Sequence, residues 1–217
     1  MSEQLHIKSK GPANYAETQR LEEQLGSADE AISLAEEAFA MQVARIETLP
    51  ALREFLKRYE SELLVPHELE VIYRAWQHAS KNELRELIEL DCSLEETTKQ
   101  FSGASRVIGK NQIRKLRTLK DHRVVQRYLA AIKEGKANGW HTVVFGIVLA
   151  VYGLPLRQGL VHYGRQTIRG FIMAGAQRLM LSVEGGEELH EEIAAPLPGK
   201  VAKLLETHDL NRISVLK

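Results

Sequence analysis

The sequence predicts an all-α protein, a single-domain bundle of about ten helices without a β-sheet. Three observations point to this class. Apolar residues recur at a spacing of three and four, as on the buried face of an amphipathic helix. Helix-capping residues separate these segments. No stretch alternates apolar and polar residues with the period of two that a half-buried strand requires. A chain of 217 residues is also of ordinary size for one domain.

Capping signals predict two helices at the beginning of the chain. Asn14 can cap a helix that ends at about Leu25, before a glycine. The pair Ser27 and Glu30 forms a capping box for a second helix, which continues to about Ile46.

Thr48 and the prolines place the next boundaries. Thr48 caps a helix that carries Pro50 in its first turn, where a missing N–H is harmless. Pro66 is expected to start the following helix, and Asn82 opens a short one. The apolar residues of the Thr48 helix follow the three-four spacing: Leu49, Leu52, Phe55, Leu56, Tyr59 and Leu63.

The middle of the chain repeats these signals. Ser93 and Glu96 form another capping box, before a helix of up to roughly 25 residues. Asp121 opens a further helix that ends near Gly135, and the glycine-rich stretch 135–139 predicts a loop.

Two strongly apolar helices are predicted next, at about 140–152 and 155–183. The longest apolar run, 142–154, is shorter than the ~20 residues that a membrane-spanning helix needs. Each glycine inside a helix costs ~1 kcal/mol relative to alanine, so glycines persist where backbones approach closely. The two helices are therefore either the central core of the bundle or a surface covered by a partner. Their glycines include Gly146, Gly164, Gly170 and Gly175.

The chain is expected to end in short elements. Gly185-Gly186 predicts an interruption, followed by a helix at 186–194 and, after a proline-containing linker, a last helix to about Glu206. Residues 1–206 would form the domain. Residues 207–217 would be a tail that becomes ordered only on binding a partner, because it is terminal yet apolar.

Composition restricts the function classes. Twenty-nine basic residues balance 29 acidic ones, whereas dedicated nucleic-acid-binding proteins usually carry a basic excess. The single cysteine, Cys92, excludes an internal disulfide framework and fits a reducing cytosol, so a cytoplasmic location is expected. Cys92 itself is expected to be a small core residue.

Two segments resemble catalytic motifs without meeting their requirements. In 103–111 five residues separate the glycines and Asn111 follows Lys110, whereas a phosphate loop needs four residues and a Ser or Thr. In the sequence that begins at His190, Ala194 stands where a zinc-protease helix needs its second histidine. The residues therefore predict neither an enzyme nor a cofactor or metal site.

The segment 106–127 offers an alternative function. It contains eight Lys or Arg residues and one acid, Asp121, as a helical regulatory or nucleic-acid-binding module would. The other interpretation is a solvated helical face, since no aromatic residue for base stacking occurs before Tyr128.

Several motifs together resemble the UreF family of urease accessory proteins. His141-x-x-x-Phe145-Gly146, followed by Tyr152-Gly153-Leu154-Pro155-Leu156, is similar to that family's His-x-x-x-Phe-Gly…Gly-Leu segment. The stretch 104–110 is similar to its Ala-Ser-Arg-x-x-Gly-Arg helix, and further similarities follow in order over about residues 36–195. The family's N-terminal Leu-Pro-x-Gly-Gly-Phe-Ser loop is not matched at 27–33, which has neither proline nor glycine.

The resemblance implies an all-helical, non-catalytic scaffold in nickel-dependent urease maturation. Such proteins bind a UreD-type protein (also called UreH) and the GTPase UreG, act on apo-urease, and often form homodimers through late apolar helices, here 156–181. Membrane and nucleic-acid partners are not expected. The resemblance places partner or dimer contacts at Ser105, Arg106, Gly109, His141, Phe145, Gly146, His162, Tyr163, Gly175 and Arg178 and, in the tail, at Leu210, Arg212 and Ile213.

Overall fold

The computed structural model describes residues 39–94, 102–119 and 121–215. Within these residues the protein is helical and contains no β-strand, which confirms the predicted class. The helix predicted after Asn14 lies outside the described residues, and of the one predicted from Ser27 only 39–43 is described, as its helical end.

Eight helices follow. The first, α1, is continuous over 49–80 and consists of an α-helical part Leu49–Tyr59, a π-helical part Glu60–Glu68 and an α-helical part Leu69–Ser80. The others are α2 (Leu84–Ser93), α3 (Ser102–Lys115, continued by a 3₁₀ turn Leu116–Thr118), α4 (Arg123–Lys133), α5 (His141–Val151), α6 (Leu156–Ala176), α7 (Val183–Ala194) and α8 (Leu197–Val215). These are eight helices rather than about ten: α1 unites two predicted helices, and the helix predicted after Asn14 lies outside the described residues.

Pro66 lies inside α1 and does not start a helix, so that prediction was wrong. The N–H of Leu69 donates to the carbonyl of Leu64, a π-type bond that spans the proline. Both leucines are fully buried, which anchors the chain on either side of Pro66. The π-helical hydrogen-bond pattern thus accommodates Pro66, which has no backbone N–H to donate, and the helix continues.

The predicted start of α1 is confirmed. The N–H of Ala51 donates to Oγ1 of Thr48 over 3.3 Å, and a proline occupies the first turn. Leu52, Leu56 and Tyr59 are buried, as the three-four spacing predicted.

The helices enclose two hydrophobic cores that share α1 and α5. The first core joins α1 to α6, α7 and α8, and the second joins the end of α1 to α2, α3 and α4. On α5, Phe145 and Leu149 face the first core, whereas Val144 and Val148 face the second. A helix between two cores must be apolar on all sides, so the core interpretation of α5 is correct.

Gly146 lets α5 lie directly on α1. A Cβ at this position would lie 2.6 Å from the carbonyl oxygen of Ile72 and 2.8 Å from the backbone nitrogen of Trp76. The close approach that the sequence predicted for such glycines is therefore present here.

Several predicted boundaries were wrong. Ser93 belongs to the last turn of α2 and donates to the carbonyl of Leu90 over 2.7 Å; Glu96, the other residue of the predicted capping box, lies in 95–101, outside the described residues. Asn82 lies in the turn before α2, with a φ of 57°. The loop over 135–139 is confirmed, with positive φ at Gly135 and Gly139.

The end of the chain is also organised differently. α6 ends at Ala176 and not near 183, and Met180 has a φ of 50° in the connection to α7. Gly185-Gly186 does not interrupt a helix but lies in the first turn of α7, where Ser182 accepts the N–H of Gly185 over 3.1 Å. The last helix continues past Glu206 to Val215.

Candidate functional site

Residues of the motifs on α3 and α5 meet where α5 begins. The backbone N–H of His141, in the first turn of α5, donates to Oγ of Ser105 over 3.1 Å. A Cβ on Gly109 would collide with the carbonyl of Gly139 and the backbone before His141. The first N–H groups of a helix have no partner within it, so the α3 serine satisfies one of them. The serine and the glycine therefore form a joint between α3 and the beginning of α5.

Asp91 organises the loop that leads into this joint. Its side chain is fully buried and accepts the N–H groups of Asn138 (2.5 Å) and Gly139 (3.0 Å) and the hydroxyl of Tyr128 (2.5 Å). Its backbone carbonyl accepts Nε1 of Trp140 over 2.9 Å. The carboxyl group thereby fixes the backbone of the loop at 138 and 139. Burial raises the pKa of Tyr128, and the charge of Asp91 raises it further. Sequence reasoning missed Asp91, although an acid one residue after Leu90 on the buried face of α2 was a signal.

An aromatic cluster connects the same joint to α6. The rings of His141 and Tyr163 lie 5.6 Å apart, and that of Phe145 packs edge-on against Tyr163 at 5.1 Å. His141 also packs edge-on against Phe145 at 5.9 Å. The structure therefore brings together three residues that the motifs singled out separately.

A half-buried carboxyl group of α1 completes the cluster. Glu68 accepts the hydroxyl of Tyr59 over 2.7 Å and that of Tyr163 over 3.0 Å. Burial raises the pKa of Glu68, and the two tyrosine hydrogen bonds lower it in part. Burial and the neighbouring carboxyl raise the pKa of both tyrosines. Glu68 was also missed, because Tyr163 lies far away in the sequence.

The two motif histidines are held in the neutral form. Burial lowers the pKa of His141 and of His162 to about 4. A neutral imidazole can bind a metal, but no group of three or more His, Cys, Asp or Glu side chains is arranged for one within residues 39–94, 102–119 and 121–215.

Three of the remaining predicted site residues have intramolecular contacts. The guanidinium of Arg106 lies 5.3 Å from the ring centre of Trp140, a cation–π contact. Gly175 packs on Leu52 of α1. Arg178 donates to the carbonyls of Val43 and Ala44 and so caps the helix that ends at 43. Leu210, Arg212 and Ile213 lie on the last turns of α8. Contact of any of these residues with a partner stays a prediction.

The apolar residues of α6 are largely used inside the chain. Leu160, Ile168, Phe171 and Ile172 are at most 1% exposed. Arg165 pairs with Glu191 over 2.6 Å, so its charge is compensated within the chain. These four side chains therefore offer no apolar surface to the homodimer that the resemblance implies for 156–181.

The segments that resembled catalytic motifs do not assemble into sites. Residues 103–111 belong to α3 and form no loop that could surround a phosphate. Nε2 of His190 lies 3.1 Å from the carbonyl oxygen of Arg165, while Glu192 pairs with Arg53 and Lys57. Cys92 is exposed, with Sγ 3.4 Å from the carbonyl of Lys136, so the expectation of a core residue was wrong.

The fold and the joint define an all-helical protein in which the motif residues hold helices together. Within the described part of the chain no helix is long and apolar enough to cross a membrane. Residues 46–189 match the family model of UreF, and the chain belongs to the UreF family of urease accessory proteins. No curated protein matches the chain.

Proposed function

We propose that the protein is a non-catalytic adaptor in nickel-dependent urease maturation, which bridges a UreD-type protein and the GTPase UreG on apo-urease. Membership of an accessory-protein family over residues 46–189 carries this proposal. The joint supports it, because Ser105, Asp91 and His141 connect helices and have no arrangement suited to acid–base or nucleophilic chemistry.

Binding to the purified partners tests the proposal. Size-exclusion chromatography of the chain with the UreD-type and UreG proteins of the same organism is expected to give one complex that contains all three. Each pair should be mixed as well, to show which contacts the chain itself makes. Separate elution of the chain in every mixture would contradict the adaptor function.

The end of α8 is the proposed contact with the UreD-type protein. The tail 207–217 would become fully packed only when it binds that protein. His208, in α8, packs against α1: its Nε2 lies 2.7 Å from Oε2 of Glu70, and its ring stacks on that of Tyr73 with 4.0 Å between the ring centres. Deleting 209–217 leaves these contacts in place. The truncated chain is expected to melt at nearly the full-length temperature but to lose the UreD-type protein. Retained binding would contradict the proposal.

The proposed homodimer would use the polar side of α6. Oε1 of Gln166 and Nε of Arg169 are buried and have no hydrogen-bond partner among the described residues. Both residues are half-buried, so rotation of their side chains toward a second copy would give these atoms the partners that buried polar atoms normally have. Light scattering is expected to give the mass of a dimer, and Arg169→Ala is expected to weaken it. A monomer at all concentrations would refute self-association.

A further inference from the structure

A group of arginines between α3 and α4 forms no ion pairs with the rest of the described chain. Arg114, Arg117, Arg123 and Arg127 are all exposed; we call them the arginine surface. Elsewhere in the described chain, cations such as Arg53, Arg58, Arg85, Arg165 and Lys200 are paired with carboxylates. The charge of the arginine surface is thus available to a partner.

Hydrogen bonds join the turn after α3 to α4, the two elements that carry most of the arginine surface. Nε2 of Gln126 on α4 donates to the carbonyls of Arg117 (3.2 Å) and Leu119 (3.1 Å), which fixes the turn after α3 against α4. Arg127 therefore lies on the helix that holds Arg117 in place. The turn with Arg117 and the helix with Arg123 and Arg127 are thereby held together.

A concavity lies at one end of this surface. It has a volume of about 440 Å³, and its lining includes Arg123, Arg127 and Asp121 together with apolar atoms of Leu84 and Val124. The lining is mostly polar, with two arginines at its border, and Leu84 and Val124 form a smaller apolar part. Such a site fits a carboxylate-bearing chain, one apolar side chain of which can contact these two residues. Guanidinium groups suit this role, because their planar fork binds a carboxylate with two parallel hydrogen bonds.

The same features favour a peptide over a nucleic acid. Asp121 can accept the backbone N–H groups of a peptide, whereas a phosphodiester backbone offers no such donors. The nearby aromatic residues are unavailable for base stacking, since Tyr128 is fully buried and Trp140 is 1% exposed. The zero net charge of the chain also provides no wider field to attract a polyanion.

We infer that the arginine surface is a docking site for an acidic segment of a partner protein, with an apolar side chain of that segment in the concavity. The inference deepens the proposed adaptor function by assigning it a surface, and it rests on that function for the identity of the partner. The chemistry of the site is independent of that identity.

The test uses a short peptide of glutamate and leucine as the probe for the isotope-labelled full chain in NMR titrations. The expected shifts occur at 82–84 and 114–127. The variant Arg117→Glu/Arg123→Glu/Arg127→Glu is expected to weaken binding about tenfold or more, because each reversal replaces attraction by repulsion. The matched control, Arg74→Glu/Arg157→Glu/Lys203→Glu, makes the same change in charge at exposed positions elsewhere and is expected to bind as the parent chain does.

Three outcomes would overturn the inference: no shifts at this surface, equal binding by both triple variants, or an oligonucleotide that binds there more tightly than the peptide. A circular dichroism melt of each variant shows whether it is folded; if a triple variant is not, Arg127→Glu replaces the one at the arginine surface and Arg74→Glu replaces the control. Titration with the UreD-type and UreG proteins then separates the two proposals. If the peptide binds but neither protein does, the adaptor function fails and the docking site stands.

Discussion

At the scale of the residue, the buried carboxyl group of Asp91 and the half-buried one of Glu68 determine how the motif residues are arranged. Asp91 fixes the loop before α5, and Glu68 receives hydroxyl groups from α1 and α6. A buried polar group without a partner lowers the stability of the fold by roughly 1–3 kcal/mol. Each carboxyl group therefore holds the donors around it in positions where their hydrogen bonds are kept. These contacts explain why His141, Phe145 and Tyr163 occupy fixed positions.

Replacement of Asp91 by alanine is expected to lower the free energy of unfolding by roughly 3 kcal/mol or more, because several buried donors lose their acceptor. The donors are the hydroxyl of Tyr128 and the N–H groups of Asn138 and Gly139. Urea denaturation measures the change. Asp121→Ala, at an exposed position, is the control and should alter stability by no more than about 0.5 kcal/mol. Equal effects of the two substitutions would refute the role of Asp91.

The buried histidines predict a loss of stability in mild acid. Burial holds the pKa of His141 and His162 at about 4, below the ordinary value near 6.5. Between these values the unfolded chain binds more protons than the folded one, so the free energy of unfolding falls as the pH is lowered from about 6.5 to about 4. The raised pKa of Glu68 has the opposite effect on stability, because at mildly acidic pH this carboxyl group binds a proton more readily in the folded chain than in the unfolded one.

Chemical denaturation of His162→Gln at a series of pH values tests this sign. The variant is expected to show a shallower loss of stability between neutral and acidic pH than the parent chain. His67→Gln makes the same substitution at an exposed position and is expected to retain the parent's pH dependence. A parent chain whose stability rises on acidification in this range would contradict the argument.

At the scale of the element, α1 and α5 are the central pair. Each contributes to both cores, and Gly146 allows their backbones to approach directly. The sequence predicted much of this, since the apolar run of α5 and its glycine are local features. It also predicted the cap at Thr48. It did not predict the continuity of α1 through Pro66, because the π-helical bonding there depends on burial of residues on both sides.

Replacement of Gly146 by alanine is expected to destabilise the fold by about 1–3 kcal/mol, since the new methyl group would displace the α1 backbone. Thermal or urea unfolding measures this. Gly199→Ala provides the control, because nothing lies within 4 Å of a Cβ at that helical position. That substitution is expected to be neutral or stabilising by up to about 1 kcal/mol. An unchanged free energy of unfolding in Gly146→Ala would contradict this, because it would show that α1 and α5 can move apart without loss of stability.

The joint itself was only partly predictable from the sequence. The motif residues were named individually, but their convergence depends on contacts between distant positions. The hydrogen bonds of Asp91 to Asn138 and Gly139 span 47 and 48 positions of the sequence, and that of Glu68 to Tyr163 spans 95 positions. Neither periodicity nor capping carries information over such separations. The intramolecular use of Gly175 and Arg178 was hidden for the same reason.

At the scale of the whole molecule, the two cores form a scaffold whose motif residues are mostly internal. A protein of this kind acts through its surface, and the arginine surface and the end of α8 are the regions assigned to partners. The helical conformation of 103–111 agrees with the absence of a phosphate loop from the sequence.

The purified protein is expected to show no GTP turnover of its own. Lys110, the residue that would have contacted a phosphate, lies within α3. A phosphate-release assay with the parent chain and Lys110→Ala measures this, with purified UreG as the positive control. Turnover that persists after repurification and disappears in Lys110→Ala would contradict the non-catalytic role.

The most direct test of the adaptor function is the nickel content of urease purified from cells of the source organism that lack this chain. The account predicts nickel-poor, inactive urease, restored by a plasmid-borne parent chain but not by the chain without 209–217. Immunoblotting must show that both chains accumulate equally, so that loss of function is not loss of protein. Full nickel loading and full urease activity in the absence of the chain would contradict the account.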